Sequence, residues 1–313
     1  MYKVFITRRM PKIAISMLKE RYSVTEIDKN EPYPYSLLKQ VVEDYDGILC
    51  TISERLDTGI LSHCKRLNVI SNYAVGLDNI DIKHAQDIGI EVCNTPDAVT
   101  NSTADLTIGL LLALIRRIPE AREFVQLNRW TKWDPYLLLG EELANKKLGI
   151  LGFGRCGQAV ARRAIGFGLN VKFFDRTKQK VKSEELAGVN YEEFESILST
   201  SDYLSVHLPL TEATRGLIDM RAFKLMQKKP ILINMARGDI IDNDSMLFAL
   251  ENQLIRGAVL DVVAKEPIAG SHPLCKYQNV LVVPHIGTAT VESREQMAIA
   301  SAQNIINVLE CST

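Results

Sequence analysis

"KLGILGFGRCGQAVARR", residues 147–163, is the stretch on which the reading of the fold turns. The run "LGIL" has the apolar character of a buried strand, and "GQAVARR" carries the small apolar residues of a packed helix. Between them Gly152, Gly154 and Gly157 fall in the pattern GxGxxG. Strand, glycine turn and helix start are the parts that place backbone N–H groups and a helix dipole on a pyrophosphate. Gly152 permits the tight turn, Gly154 lets the backbone approach phosphate, and Gly157 lets the helix close on the strand. By itself the pattern also describes an ordinary packed turn. The next strand decides between the two, because it ends "VKFFD" and puts Asp175 18 residues past Gly157. That is near the roughly 20 expected for an acid that accepts from ribose hydroxyls. With all four elements in register, the stretch predicts a dinucleotide site.

Asp175 also bears on which dinucleotide. A 2′-phosphate at ~4 Å would meet a repulsion of about 4 kcal/mol per unit charge at an effective dielectric near 20. Arg176, Lys178 and Lys180 follow at once and offset part of that. The balance favours NAD(H) over NADP(H).

Working outward, the chain alternates on both sides of this loop. Before it, "YKVFIT" (2–7), "SVTEID" (23–28), "DGILCTI" (46–52), "NVISNYA" (68–74) and "IEVCN" (90–94) read as strands separated by helical spacings. One long helix is expected over 102–125, "STADLTIGLLLALIRRIPEAREFV", capped by Asn101 or Ser102. The alternation then resumes with "KLGILGF", "NVKFFD", "YLSVHL", "PILINMA", "GAVLDVV" and "NVLVVPH", and a last helix spans 290–310. Strand alternating with helix argues for parallel sheets covered on both faces. The expected fold is α/β, with two doubly wound parallel-sheet domains: a flavodoxin-like domain of residues 1–97 plus 289–313, and a Rossmann domain of residues 98–288 inserted into it. The insertion explains why the glycine loop lies mid-chain.

Composition removes several functional classes. The chain of 313 residues carries 37 Lys+Arg against 38 Asp+Glu, and no basic stripe with interleaved aromatics, which disfavours nucleic acid. The most apolar run, "LTIGLLLALI" (106–115), is too short to span a bilayer, so no membrane partner is expected. The N-terminus has no apolar segment before a cleavage site and does not read as a signal peptide. The six cysteines show no CxxC pair and no metal-ligand spacing. Free thiols in apolar runs suit a reducing, cytoplasmic setting, and no metal is expected.

Three stretches after the glycine loop carry candidate chemistry. "NMARGDIID" places Arg237 just after a strand, "AVLDVVAKEP" places Asp261 at a strand end with Glu266 beyond it, and "VLVVPHIGTAT" places His285 after another strand. Each alone has an ordinary explanation as an ion pair, a loop charge or a core imidazole. Together they meet the needs of one reaction, the reduction of a 2-oxo acid. A guanidinium anchors a carboxylate bidentately. An imidazolium delivers a proton to the carbonyl oxygen, and a neighbouring carboxylate favours its protonated form.

In this order, "GFGRCG", "NMARG", "DVVAKEP" and "VPHIG" resemble the NAD-dependent D-2-hydroxyacid dehydrogenases, as do "NYAVGLDNID" (72–81) and "NSTADLTIGLLLAL" (101–114). The resemblance covers almost the whole chain. It implies a discontinuous substrate domain closing on an inserted cofactor domain. It makes His285 the acid/base, Glu266 its carboxylate partner and Arg237 the cation that orients substrate. Val75 and Gly76 match the loop whose backbone amides hold the substrate carboxylate. Thr103, Arg155, Cys156, Pro209, Thr211, Met235 and Asp261 match positions that touch cofactor, with Asp261 at the nicotinamide amide. Cys156 stands where an aliphatic residue is usual, and Val263 and Ala264 replace an aromatic and a charged residue.

"NRWTKWDPYLLLGEEL" (128–143) is similar to the corresponding segment of glyoxylate/hydroxypyruvate reductases, and Trp130 and Trp133 read either as a dimer arm or as cover for a sheet edge. The family implies a homodimer through the cofactor domain. A short-type D-3-phosphoglycerate dehydrogenase shares these motifs, with Arg8, Arg9 and Lys12 the candidate cations for a substrate phosphate. A co-repressor of the C-terminal-binding-protein type, sensing NAD(H) without turnover, is the non-enzymatic alternative.

Overall fold

A computed structural model describes residues 1–177 and 184–311, so Lys178 and Lys180 lie outside the described residues. The chain divides into two compact units, residues 1–99 with 288–313, and residues 100–287.

The first unit holds strands β1 (Lys3–Ile6), β2 (Ser23–Glu26), β3 (Gly47–Cys50), β4 (Val69–Asn72) and β5 (Glu91–Cys93). They form one parallel sheet in the order β2-β1-β3-β4-β5, which is the order of the flavodoxin-like domain expected here. β3 and β4 are buried along their whole length, because both faces are covered. The helix Val291–Cys311 packs against helix Lys12–Lys19 and β4, burying Met297, Ala298, Ala302, Ile305 and Leu309.

The second unit holds β6 (Lys147–Leu151), β7 (Asn170–Phe174), β8 (Asn190–Tyr191), β9 (Tyr203–Val206), β10 (Ile231–Asn234), β11 (Gly257–Leu260) and β12 (Val280–Val282). Their order is β12-β11-β10-β9-β6-β7-β8, parallel throughout. This is the Rossmann arrangement, reversing direction between β6 and β9. The strand period explains both cores. Ile231 and Ile233 face helices Thr100–Ile115 and Arg155–Gly166, whereas Leu232 between them faces the opposite core with Leu204, Ala258 and Leu260.

Two local expectations change. β8 is an extra two-residue strand at the sheet edge, too short to carry an alternating pattern. The long helix expected over 102–125 begins at Thr100 and is two helices, Thr100–Ile115 and Ile118–Gln126. Arg117 between them adopts the left-handed region at φ 53°, and Pro119 starts the second helix. A proline is at home in a first helical turn but clashes with the preceding turn inside a helix, so the chain breaks there.

Candidate active site

The glycine loop leaves β6 at the point where the strand order reverses. Gly152 takes φ 92°, and a Cβ there would stand 2.8 Å from the carbonyl of His207 at the end of the neighbouring strand β9. A Cβ on Gly157 would lie 2.2 Å from the Gly152 carbonyl oxygen. Glycine is therefore required at both for the loop to close on itself. Gly154 differs, since a Cβ would meet no atom within 4 Å, which keeps that side of the loop open. The helix that starts at Arg155 has no side-chain cap, and a helix N-terminus favours an anion. At the end of β7, Asp175 accepts from the Phe153 N–H at 2.9 Å and from the Thr177 N–H at 3.0 Å. Partial burial works to raise its pKa, but the hydrogen bonds from Thr177 and Phe153 outweigh that and hold the carboxyl below its usual range. These features fit a dinucleotide, with the pyrophosphate at the helix start and Asp175 on a ribose.

Arg237, Glu266 and His285 leave the carboxyl ends of β10, β11 and β12, which are adjacent in the sheet. His285 Nδ1 lies 2.8 Å from Glu266 Oε2, with both side chains about one-third exposed. A carboxylate only accepts, so Nδ1 donates and Nε2 is directed elsewhere. Glu266 Oε1 accepts from the Val263 N–H at 3.2 Å, which fixes the carboxylate. The His285 backbone sits at φ 52°, a region that costs a non-glycine residue about 1–3 kcal/mol. Its N–H donates to the carbonyls of Asp261 and Val283.

Asp261 adds a contact that sequence did not suggest. Its side chain is buried, with Oδ1 accepting from the Ile286 N–H at 2.6 Å and Oδ2 from the Gly287 N–H at 2.8 Å. Burial raises its pKa, opposed by those two N–H groups and by His285. Thr103 Oγ1 donates to the Gly287 carbonyl at 3.3 Å, so the loop after His285 is held from two sides. On β10, Asn234 donates to the Arg237 carbonyl at 2.9 Å and accepts from the Ala236 N–H at 3.1 Å. A Cβ on Gly238 would fall 2.0 Å from the Val263 carbonyl carbon, so the Arg237 turn lies directly on the segment that leads to Glu266.

The other positions singled out in sequence are distributed as follows. Met235 is buried at the end of β10. Pro209 and Thr211 form a turn closed by the Thr214 hydroxyl, which donates to the Pro209 carbonyl at 2.6 Å. Cys156 sits in the first turn of the helix after the glycine loop, and burial pushes its thiol pKa up. Outside those positions, His207 bonds Ser205 Oγ through Nε2 at 2.8 Å, and burial pushes the imidazole down to about 4, so it is neutral. Val75 and Gly76 belong to the first unit, in the loop after β4. Among the described residues no group of His, Cys, Asp and Glu is arranged to hold a metal.

Comparison with known proteins agrees with this fold. Residues 108–287 match the family model "D-isomer specific 2-hydroxyacid dehydrogenase, NAD binding domain". The chain is 42% identical to a glyoxylate reductase of Thermococcus litoralis, over 97% of this chain and 92% of that one. This chain belongs to the D-2-hydroxyacid dehydrogenase family. It is therefore an oxidoreductase acting on the CH–OH group, with a Rossmann NAD-binding domain. Among solved structures, an NADPH-dependent glyoxylate/hydroxypyruvate reductase of Sinorhizobium meliloti, complexed with NADP and malonate, aligns at TM-score 0.86 and 28% identity. That alignment covers 97% of this chain and 92% of that one. A D-lactate dehydrogenase of Aquifex aeolicus, complexed with NAD and lactic acid, aligns at 0.84 and 26%, covering 99% and 96%. No helix among the described residues is long and apolar enough to cross a membrane.

Proposed function

We propose that this family member reduces a small 2-oxo acid of the glyoxylate or hydroxypyruvate type to its D-2-hydroxy acid, using NADH. The observation that carries the reading is the 2.8 Å contact between His285 Nδ1 and Glu266 Oε2 at the carboxyl edge of the Rossmann sheet. The bound dinucleotide supplies the hydride that reaches the carbonyl carbon. His285 holds the proton on Nε2 and releases it to the carbonyl oxygen, while Glu266 supports the positive imidazolium before transfer. Arg237 takes the substrate carboxylate with its guanidinium. In the first unit, the backbone N–H groups of the loop at Val75 and Gly76 are the substrate-binding donors. The 1–97 plus 289–313 segment serves as substrate domain and 98–288 as cofactor domain. Gly152, Gly154, Gly157, Arg155 and Cys156 line the pyrophosphate side, and Thr103, Pro209, Thr211, Met235 and Asp261 the remainder of the cofactor path.

A phosphorylated substrate fits less well. Arg8 lies 3.6 Å from the buried Glu54 carboxylate, and Arg9 lies 2.6 Å from Asp28, so the two arginines near β1 are already paired. The test is NADH oxidation with glyoxylate, hydroxypyruvate, pyruvate, 3-phosphohydroxypyruvate and 2-ketogluconate. Turnover is expected with the first two. Tight NADH binding without any turnover would sink the reading.

Asp175 supports NAD over NADP, because its ionised carboxylate stands where a 2′-phosphate would be charged alike. Asp175→Ala is expected to narrow the ratio of kcat/KM with NADH to that with NADPH at least ~10-fold, the effect of ~1.4 kcal/mol of lost repulsion. An unchanged ratio contradicts the assignment.

The segment after Gln126 supports a homodimer. Trp130, Trp133, Tyr136 and Leu139 are 64%, 80%, 81% and 61% exposed, which leaves no role for the tryptophans as cover for the sheet edge. Glu141 ties the end of this arm to the sheet by pairing with Arg256 and accepting from the Tyr203 hydroxyl at 3.3 Å. Large aromatics on an anchored arm mark a surface that a second copy covers. Light scattering is expected to give twice the chain mass, falling to one chain mass in Trp133→Asp. A monomeric wild type at micromolar concentration rules the dimer out. The six cysteines are unpaired thiols, which supports the cytoplasm as the site of action.

A further inference from the structure

The loop after β4 has three successive carbonyls, each tied by a hydrogen bond from the protein. The Ala74 carbonyl accepts from the Thr95 N–H at 2.9 Å. The Val75 carbonyl accepts from Asn94 Nδ2 at 2.7 Å, and the Gly76 carbonyl from Asn72 Nδ2 at 2.8 Å. In a planar trans peptide the C=O and the following N–H point in opposite directions. Fixing these three carbonyls therefore directs the N–H groups of Val75, Gly76 and Leu77 away from their anchors. None of the three donates to another group among the described residues. A row of backbone N–H groups presented together is a concavity for an anion.

We infer that Asn94 and Asn72 are positioning residues that preset this loop to receive the substrate carboxylate, an inference that rests on the 2-oxo acid reduction proposed above. The two asparagines are themselves held. Asn72 is fully buried, and its amide also donates to Asn79 Oδ1 at 3.0 Å. The Asn94 carbonyl accepts from Asn304 Nδ2 at 3.0 Å, which ties it to the helix Val291–Cys311. Without the Asn94 amide, the Val75–Gly76 peptide is free to rotate, and the Gly76 N–H no longer faces the anion. A preset donor group contributes to binding because its orientation is settled before the ligand arrives.

The test is Asn94→Ala, which removes one amide from a partly exposed site and leaves the Asn72 contacts in place. Steady-state kinetics with glyoxylate, inhibition by oxalate and NADH binding by fluorescence are measured on the variant and the wild type. The KM for glyoxylate and the inhibition constant of oxalate are expected to rise together by about 10-fold, with kcat within ~3-fold and the NADH Kd unchanged. A merely structural role would lower thermal stability and shift kcat and NADH binding with KM. Should Asn94→Ala fail to fold, Asn94→Ser, whose hydroxyl is too short to reach the Val75 carbonyl, is expected to give the same split. Wild-type turnover of glyoxylate with KM and oxalate inhibition unmoved in the folded variant overturns the inference and leaves the proposed reaction standing. A wild type that turns over no 2-oxo acid overturns both.

Discussion

Replacing His285 with asparagine lowers kcat by roughly 10²–10⁴-fold, the range that general acid catalysis contributes, while the NADH Kd stays within about 3-fold. Asparagine is the better variant because the His285 backbone sits at φ 52°, a conformation that asparagine tolerates. Alanine there would add backbone strain to the chemical loss. The asparagine amide cannot deliver a proton near neutral pH, so the carbonyl oxygen would have to take one from water. The glycine loop at Gly152 and the Asp175 carboxylate, proposed to hold the pyrophosphate and ribose, lie at the ends of β6 and β7, so cofactor affinity separates lost chemistry from lost fold. Rates come from steady-state NADH oxidation with glyoxylate, and affinity from fluorescence titration. A kcat near the wild-type value in a variant that still binds NADH would remove His285 from the proton-transfer role.

How much of this was legible beforehand depends on where each signal lies along the chain. The presence of two parallel-sheet domains followed from strand and helix alternation, because periodicity and glycine spacing are local properties, whereas the order of the strands is set by contacts between them. The buried runs "GILC", "VISN" and "ILIN" were readable as strands for the same reason. The break at Arg117 was not, since "LLLALIRRIPEAREFV" keeps helical spacing through it and only Pro119 marks it. Side-chain contacts that hold a turn were invisible too. Asn72 and Asn234 each end a strand, where asparagine is an ordinary turn residue. Only the fold shows that one donates to the Gly76 carbonyl and the other to the Arg237 carbonyl. The glycine pattern was seen because spacing exposes it, whereas Gly238 depends on a backbone 25 residues later, at Val263.

Gly238 supplies the second large effect. Gly238→Ala is expected to lower kcat/KM by about 10²-fold with NADH affinity nearly unchanged, because a shift of about 1 Å in reacting groups costs that much. The ideal Cβ would lie 2.0 Å from the Val263 carbonyl carbon and 2.2 Å from the Ala264 nitrogen. Both are backbone atoms, so no side-chain rotation relieves the overlap, and one of the two segments has to move. The turn that moves on one side carries Arg237, tied to Asn234 through its carbonyl. The segment on the other side reaches Glu266, whose Oε1 accepts from the Val263 N–H itself. Displacing Val263 thus pulls on the carboxylate that holds His285, and displacing the turn pulls on the guanidinium. Overpacking of this kind also costs about 1–3 kcal/mol of stability, which urea unfolding would report. Arg237→Ala provides the comparison, because it removes the grip on the carboxylate proposed for Arg237 and leaves the His285–Glu266 pair in place. Under a single shared displacement, Gly238→Ala lowers kcat as well as raising KM, whereas Arg237→Ala acts mainly by raising KM. The same split between kcat and KM in the two variants would mean that the Gly238 contact does not couple the two loops.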